Sequence, residues 1–293
     1  MNDLIETIRI TGHTGLFALF ASPAVHSGSP AMFNASFRET GLDYVYLAFD
    51  VGEEEIGDAV KAARLFGIKM FNLSMPNKTA VIPHLDRIST EAELVGAVNT
   101  VINEDGVLTG YNTDGYGALA AFGEAGGEIK GKTVTVLGAG GAGRAVIAQL
   151  ALDGAEKIYV MLRRKSFEKH EAFVNKVSGR TGCPVEIRDM EDEAEVKRTL
   201  SESGVLINTT SVGMNPEPEE TPVPFTDALH ESLEVFDVIY YPEETRLMKD
   251  AKAAGCRVVA GGRGMLLHQG AKGFNLATGK DMPLDTVRRE WGK

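Results

Sequence analysis

The chain has 293 residues, of which 43% are hydrophobic and 24% charged, the composition of a folded globular protein. Its 41 acidic and 30 basic side chains give a net charge of −11, which disfavours nucleic acid and anionic lipid, so neither is expected as a partner. No apolar run approaches the ~18 residues of a membrane span, and the charged start "MNDLIETIRI" lacks the apolar segment of a signal peptide. The two cysteines, Cys183 and Cys256, belong to no Cys/His cluster, so we expect no metal site and a cytoplasmic location.

The first third of the chain mixes short apolar strands with amphipathic helices. Residues 42–51 are rich in β-formers, and residues 66–71 indicate a buried strand that leads into "NLSMPNK". Residues 53–67 have helical spacing and end on Gly67, which suits a helix C-terminus. The pair Asp105-Gly106 between apolar runs predicts a β-hairpin. The apolar stripe of the predicted helix consists of Ile56, Val60, Ala63 and Leu65.

The middle third has a different pattern. Residues 131–164 predict a strand, a glycine loop, a helix and a second strand, which is one βαβ unit. Short apolar strands then alternate with helical segments, as in a doubly wound parallel sheet. We therefore predict an α/β protein with two domains. An N-terminal α/β substrate domain comprises 1–115 with 262–293, a Rossmann-type dinucleotide domain comprises 116–261, and a cleft between them holds the chemistry.

A glycine-rich loop follows the strand "KTVTVL". Gly138, Gly140 and Gly143 form G-x-G-x-x-G ahead of a helix, where backbone N–H groups and the helix dipole suit a pyrophosphate. The alternative is a tight turn with no ligand. The next strand ends in Arg163-Arg164-Lys165, with no acidic residue between Lys157 and Phe167. Bases at this point favour the 2′-phosphate of NADP over NAD, unless the turn is merely solvated.

Four polar clusters follow apolar strands or turns in the first domain: "HSGSP" (26–30), "NLSMPNK" (72–78), "GAVNT" (96–100) and "GYNTDGYG" (110–117). We predict Lys78 and Asp114 as a proton-transfer pair, because removing a hydride from an alcohol carbon also requires loss of the hydroxyl proton. Each residue has a plainer interpretation: the serines and asparagines as turn formers, and Asp114 as a helix N-cap. The candidates for binding hydroxyls and a carboxylate are Ser27, Ser29, Ser74, Asn99 and Thr113.

These motifs, in this order, resemble those of the shikimate dehydrogenase family, particularly its quinate/shikimate dehydrogenase branch. The resemblance also covers "LGAGGAGRA" (137–145), "NTTSVGM" (208–214), "DVIYYPEETRLM" (237–248) and "GGRGMLLHQGAKGF" (261–274). It implies NAD(P)-dependent, reversible reduction of 3-dehydroshikimate to shikimate, and of 3-dehydroquinate to quinate as a further reaction, without a metal. The small-molecule substrate would be bound by a monomer or homodimer.

The resemblance assigns roles to individual positions. Lys78 and Asp114 match the catalytic pair of the family. Four positions depart from the family pattern. Ser74 replaces the commoner threonine, Phe33 a common histidine and Leu162 an asparagine, and Lys165 stands where dual-cofactor relatives carry an aspartate. Substrate-site positions are Ser27, Ser29, Tyr46, Ser74, Asn99, Thr113, Tyr240 and Gln269. Cofactor-site positions are Gly138, Ala139, Gly140, Gly141, Ala142, Gly143, Arg163, Arg164, Lys165, Gly262 and Met265.

Two other functions remain open on the sequence. One is an NAD(P)-dependent dehydrogenase that acts on a shikimate analogue. The other is a non-catalytic, dinucleotide-sensing regulator on the same fold.

Overall fold

The structure is a computed structural model that describes residues 10–291. Its chain divides into two compact units. The first unit comprises the chain up to Ala92, then Gly96–Asn112, and the chain from Gly270 onward. The second comprises Glu93–Val95 and Thr113–Gln269.

The first unit contains a six-stranded mixed sheet with the strand order β2-β1-β3-β5-β6-β4. Strand β1 pairs in parallel with β2 and β3, whereas β5 runs antiparallel to both β3 and β6. The strands are β1 (Gly15–Ala21), β2 (Tyr44–Asp50), β3 (Met70–Leu73), β4 (Arg87–Ile88), β5 (Thr100–Glu104) and β6 (Val107–Tyr111).

Strands β5 and β6 form the predicted hairpin. Asp105 and Gly106 both adopt positive φ, 51° and 91°, the conformation of a two-residue turn whose twist matches the strands it joins. The helices of this part of the chain are α1 (Ser29–Thr40), α2 (Ile56–Leu65), α3 (Asn77–Ala80) and α4 (Thr90–Val95).

Helix α2 confirms most of the apolar stripe predicted for it. Ile56, Val60 and Ala63 are buried, and Gly67 is left-handed with φ 64°. Leu65 was wrongly included in the stripe, because its side chain is 80% exposed on the opposite face of the last turn. The strand predicted over 66–71 begins only at Met70, since the chain first has to leave the helix.

The second unit contains a six-stranded sheet in which every neighbouring pair is parallel, in the order β12-β11-β10-β7-β8-β9. This is the doubly wound arrangement predicted from the alternation of strands and helices. The strands are β7 (Thr133–Leu137), β8 (Lys157–Leu162), β9 (Val185–Asp189), β10 (Val205–Asn208), β11 (Glu234–Asp237) and β12 (Val258–Gly261).

The central strands of this sheet are buried on both faces, as expected when helices cover a parallel sheet. Val134 and Val136 in β7 are fully buried, and so are Leu206 and Ile207 in β10. The helices are α5 (Asp114–Glu124), α6 (Gly141–Leu152), α7 (Phe167–Thr181), α8 (Glu193–Ser201), α9 (Arg246–Ala253), α10 (Arg263–Thr278) and α11 (Leu284–Trp291), the last two leading back into the first unit.

Candidate active site

Three of the predicted polar clusters meet at one edge of the first unit's sheet. Because β1 and β3 are parallel, the segments that follow them emerge at the same edge, and antiparallel β5 begins there. Ser74 N–H donates to Phe20 O at 3.3 Å, and Leu73 N–H donates to Asn99 O at 2.9 Å. The topology therefore brings "HSGSP", "NLSMPNK" and "GAVNT" together.

Lys78 is held on helix α3 by the residue before it. The amide of Asn77 is fully buried, and its nitrogen donates to Val51 O at 2.8 Å and to Phe20 O at 3.3 Å, at the ends of β2 and β1. Val98 N–H donates to the carbonyl of Lys78 at 2.8 Å. Lys78 is thus a partly buried residue on a short helix anchored to the sheet on both sides.

Tyr46 is fully buried beneath the same edge, stacked on Phe33 at a centroid distance of 4.6 Å. Its hydroxyl donates to Asn72 Oδ1 at 2.8 Å and also hydrogen-bonds with Ser29. Burial raises the pKa of Tyr46 well above its ordinary value, so the phenol stays protonated. The hydroxyl of Tyr46 is thus hydrogen-bonded to both Ser29 and Asn72, and its contact with a substrate stays a prediction.

Asp114 opens helix α5 in the second unit. Thr113 occupies the N-cap position and Asp114 is the first helical residue, so the alternative of Asp114 as the N-cap is wrong by one position. A carboxylate in the first turn is favoured there by the helix dipole. The Thr113 hydroxyl lies 3.5 Å from Gln269 Oε1, so the unit brings these two predicted substrate residues together beside Asp114.

The glycine loop between β7 and α6 has the shape that a pyrophosphate requires. Gly138 is left-handed with φ 88°, and a Cβ on Gly143 would lie 2.7 Å from Gly138 O, so neither position accepts a side chain without strain. Around Gly140 and Gly141, by contrast, a Cβ would meet no atom within 4 Å. The helix packs tightly on the loop while its N-terminus faces open space, which fits a dinucleotide.

The basic turn after β8 differs from its prediction in one respect. Arg163, Arg164 and Lys165 are all exposed, but the Arg164 Nε donates to Asp189 Oδ2 at 3.0 Å, and the Arg164 N–H donates to Glu191 Oε2 at 3.1 Å. Sequence reasoning missed both acids because Asp189 ends β9 and Glu191 follows it, far from this turn along the chain. Only the strand order, with Leu162 paired to Asp189, brings them to this turn.

The remaining candidates follow β11 and β12. Tyr240 is exposed just past the end of β11. Gly262 N–H donates to Ile239 O at 3.1 Å, and a Cβ on Gly262 would lie 2.0 Å from Val238 O, so only glycine fits. Met265 N–H donates to Gly262 O at 2.9 Å. Tyr240 and Gly262 thus lie on adjoining loops at the carboxyl edge of the parallel sheet, where such sheets bind ligands, and Met265 lies in the first turn of α10.

Within residues 10–291, no group of three or more His, Cys, Asp or Glu side chains could hold a metal ion. None of the helices described in this range has both the length and the apolar character needed to cross a bilayer.

Comparison with known proteins gives consistent matches. Residues 19–101 match the family model described as the shikimate dehydrogenase substrate binding domain. The chain is 47% identical over 283 residues to the shikimate dehydrogenase (NADP(+)) of Listeria innocua, covering 96% of this chain and 97% of that protein.

Solved structures of related proteins also match this chain over nearly its whole length. The crystal structure of shikimate 5-dehydrogenase from Listeria monocytogenes in complex with shikimate and NAD superposes with a TM-score of 0.93 at 47% identity, covering 97% of this chain and 98% of that chain. The quinate dehydrogenase from Corynebacterium glutamicum in complex with NAD gives 0.84 at 29% identity, covering 95% and 98%. The family expected from the motifs is confirmed: the chain belongs to the shikimate dehydrogenase family of oxidoreductases.

Proposed function

We propose that the protein catalyses the reversible oxidation of shikimate to 3-dehydroshikimate, with NADP as the preferred cofactor and NAD as the alternative. The observation that carries the proposal is the 47% identity, over 96% of the chain, to a shikimate dehydrogenase named for NADP. The candidate catalytic pair, Lys78 and Asp114, is present as well. This argues against the non-catalytic regulator, which would have no use for a proton-transfer pair.

The substrate-binding groups are hydroxyls and amides suited to a small acid with several hydroxyl groups. In the first unit they stand at one sheet edge on Ser27, Ser29, Ser74 and Asn99, with Tyr46 supporting Ser29 from beneath. Neutral hydroxyls and amides both donate and accept, which fits a ligand rich in hydroxyl groups. In the second unit the proposed substrate residues are Thr113, Tyr240 and Gln269.

We assign the proton step to Lys78 and Asp114. Oxidation of an alcohol carbon requires its hydroxyl proton to leave, and the reverse reaction requires one to be supplied. Helix α3 is anchored to the sheet and fixes the backbone position of Lys78, and Asp114 is the first residue of helix α5. Such a positioned group contributes a factor of roughly 10²–10⁴ in rate.

The dinucleotide, when bound, supplies the hydride acceptor of the reaction. The loop around Gly140 and the N-terminus of α6 would hold its pyrophosphate, and the turn at Arg163 would hold the adenosine end. Substrate binding is assigned to 1–115 with 262–293, and dinucleotide binding to 116–261. The proposed cofactor residues are Gly138, Ala139, Gly140, Gly141, Ala142, Gly143, Arg163, Arg164, Lys165, Gly262 and Met265.

Quinate is a second candidate substrate, favoured by the structural similarity to a quinate dehydrogenase at a TM-score of 0.84. It shares the ring carboxylate and hydroxyl groups that the proposed site would bind. A cytoplasmic monomer or homodimer is the proposed working form.

Replacement of Lys78 tests the assignment. In Lys78→Ala we expect the turnover of shikimate with NADP⁺ to fall by at least ~10²-fold, because the proton step loses its positioned group. The control is Lys61→Ala, which removes a lysine whose side chain is 78% exposed and forms an ion pair with Asp58. Near-normal turnover in Lys78→Ala, with the control also normal, would contradict the role of Lys78.

A further inference from the structure

The three bases of the turn after β8 are not equivalent. Arg164 has a 79% exposed side chain, yet its Nε contacts a carboxylate of Asp189 that is only 9% exposed. Asp189 is itself fixed: its Oδ1 accepts from Glu191 N–H at 2.9 Å, and its own N–H donates to Glu195 Oε2 at 3.1 Å. Arg164 is therefore held through its Nε atom by the buried carboxylate of Asp189, which is itself fixed by hydrogen bonds.

Because the contact with Asp189 uses the Nε atom of Arg164, it determines which N–H donors of the guanidinium remain available to a ligand. A guanidinium has five N–H donors, and the bond to Asp189 uses the one on Nε. The two terminal amino groups stay at the solvent-exposed end of the side chain. A phosphate binds such a pair of donors in bidentate fashion, and fixing the side chain beforehand lowers the entropy lost on binding.

We propose that Asp189 is a positioning residue for the 2′-phosphate of NADP, holding Arg164 so that its terminal amino groups face that phosphate. The inference rests on the proposed function, in that it takes the turn after β8 as the adenosine end of the cofactor site. It assigns a cofactor-selecting role to an acid on β9, one strand away from the turn.

Simple charge counting gives the opposite expectation. Asp189 and Glu191 place two negative charges beside the three positive charges of the turn, so neutralising either acid should strengthen phosphate binding. Positioning predicts that Asp189→Asn weakens it, because asparagine offers one acceptor oxygen to two donors, Arg164 Nε and Glu191 N–H. The two explanations differ in the sign of the effect.

The experiment measures equilibrium dissociation constants of NADP⁺ and NAD⁺ by calorimetry for the wild type, Asp189→Asn, Glu191→Gln and Arg164→Ala. We expect Asp189→Asn to weaken NADP⁺ by about tenfold, the size of one lost hydrogen bond to a charged group, and to leave NAD⁺ within about twofold. Glu191→Gln removes the same charge but keeps an acceptor for the Arg164 N–H, so it should not weaken NADP⁺. The double variant Asp189→Asn/Arg164→Ala is measured as well, and its dissociation constant for NADP⁺ should equal that of Arg164→Ala alone.

Three results would overturn the proposal. These are unchanged or tighter NADP⁺ binding in Asp189→Asn, equal losses for NADP⁺ and NAD⁺, which would indicate a structural role only, and equal wild-type affinities for the two dinucleotides. A wild type that binds NADP⁺ tightly but does not oxidise shikimate would contradict the proposed function and leave the role of Asp189 standing. Binding of neither dinucleotide would overturn both.

Discussion

Asp237, the last residue of β11, is a fully buried carboxylate that accepts hydrogen bonds from neutral donors. Its Oδ1 accepts from Asn208 Nδ2 and from Ile239 N–H, each at 3.0 Å, and its Oδ2 accepts from the Thr245 hydroxyl at 2.8 Å. Burial raises the pKa of Asp237 above its ordinary value of 3.8, while these hydrogen bonds partly oppose the shift. The network ties the end of β10 to the loop that carries Tyr240.

The raised pKa predicts a specific pH dependence for Asp237→Asn. The folded protein favours the protonated acid, so the stability that Asp237 contributes is fully present below about pH 3.8 and is lost as pH rises through the folded-state pKa. The Asp237→Asn variant does not lose stability in this way, because asparagine has no carboxyl group that ionises. The free energy of unfolding of the variant minus that of the wild type should therefore increase as pH rises from 4 to 7, measured by urea unfolding. A difference that is constant or falls with pH would show that the native carboxylate is not penalised by burial.

Individual residues were predictable where a motif carries its own chemistry. Lys78 and Gly140 were identified from their local sequence. Asp189 was not, since it contacts Arg164 only because β9 lies beside β8 in the sheet. Tyr46 was predicted as a substrate residue, but no sequence pattern reveals that its hydroxyl is bonded to Asn72.

At the scale of elements, helix α5 packs against two other helices through its glycines. A Cβ on Gly115 would lie 2.3 Å from Ala145 O in α6, and a Cβ on Gly117 would lie 2.6 Å from Met265 O in α10. In both cases the nearest atom is a backbone carbonyl oxygen, which cannot move aside as a flexible side chain can. Helix α5, which begins at Asp114, is thereby fixed against both α6 and α10.

Alanine at Gly117 should therefore impair both stability and activity. Overpacking of a close contact costs typically 1–3 kcal/mol, and we expect Gly117→Ala to lose stability in that range and to lower kcat/KM for shikimate. Gly123 on the same helix is the matched control, because a Cβ there meets no atom within 4 Å. Gly123→Ala should be neutral or more stable by up to about 1 kcal/mol. Equal effects in the two variants, by urea unfolding and initial rates, would exclude the close-packing explanation.

Element types were more predictable than element limits. The alternation of apolar strands and helices was enough to predict the parallel sheet of the second unit, and Asp105-Gly106 was enough to predict a hairpin. The strand start at 66 was wrong, because apolar Phe66 follows a helix end and is exposed there. Periodicity alone does not distinguish an apolar residue at a helix end from one that begins a buried strand.

At the scale of the whole molecule, both sheets present their candidate groups where strands end. In the first unit this is the edge formed by β1, β3 and the start of β5, and in the second it is the carboxyl edge of the parallel sheet. The order of motifs along the chain supplied the candidate groups, whose roles in a site stay predictions. The mixed strand order of the first sheet could not be predicted, since it depends on pairings between segments far apart in sequence.

We propose above that the chain oxidises shikimate with a nicotinamide cofactor, preferably NADP⁺. The most direct test is the initial rate of oxidation of shikimate and of quinate, each with NADP⁺ and with NAD⁺, followed by nicotinamide absorbance. We expect turnover of shikimate, fastest with NADP⁺. Turnover of quinate alone would contradict the substrate assignment, faster shikimate turnover with NAD⁺ would contradict the cofactor preference, and no turnover in any of the four mixtures would contradict the proposed function.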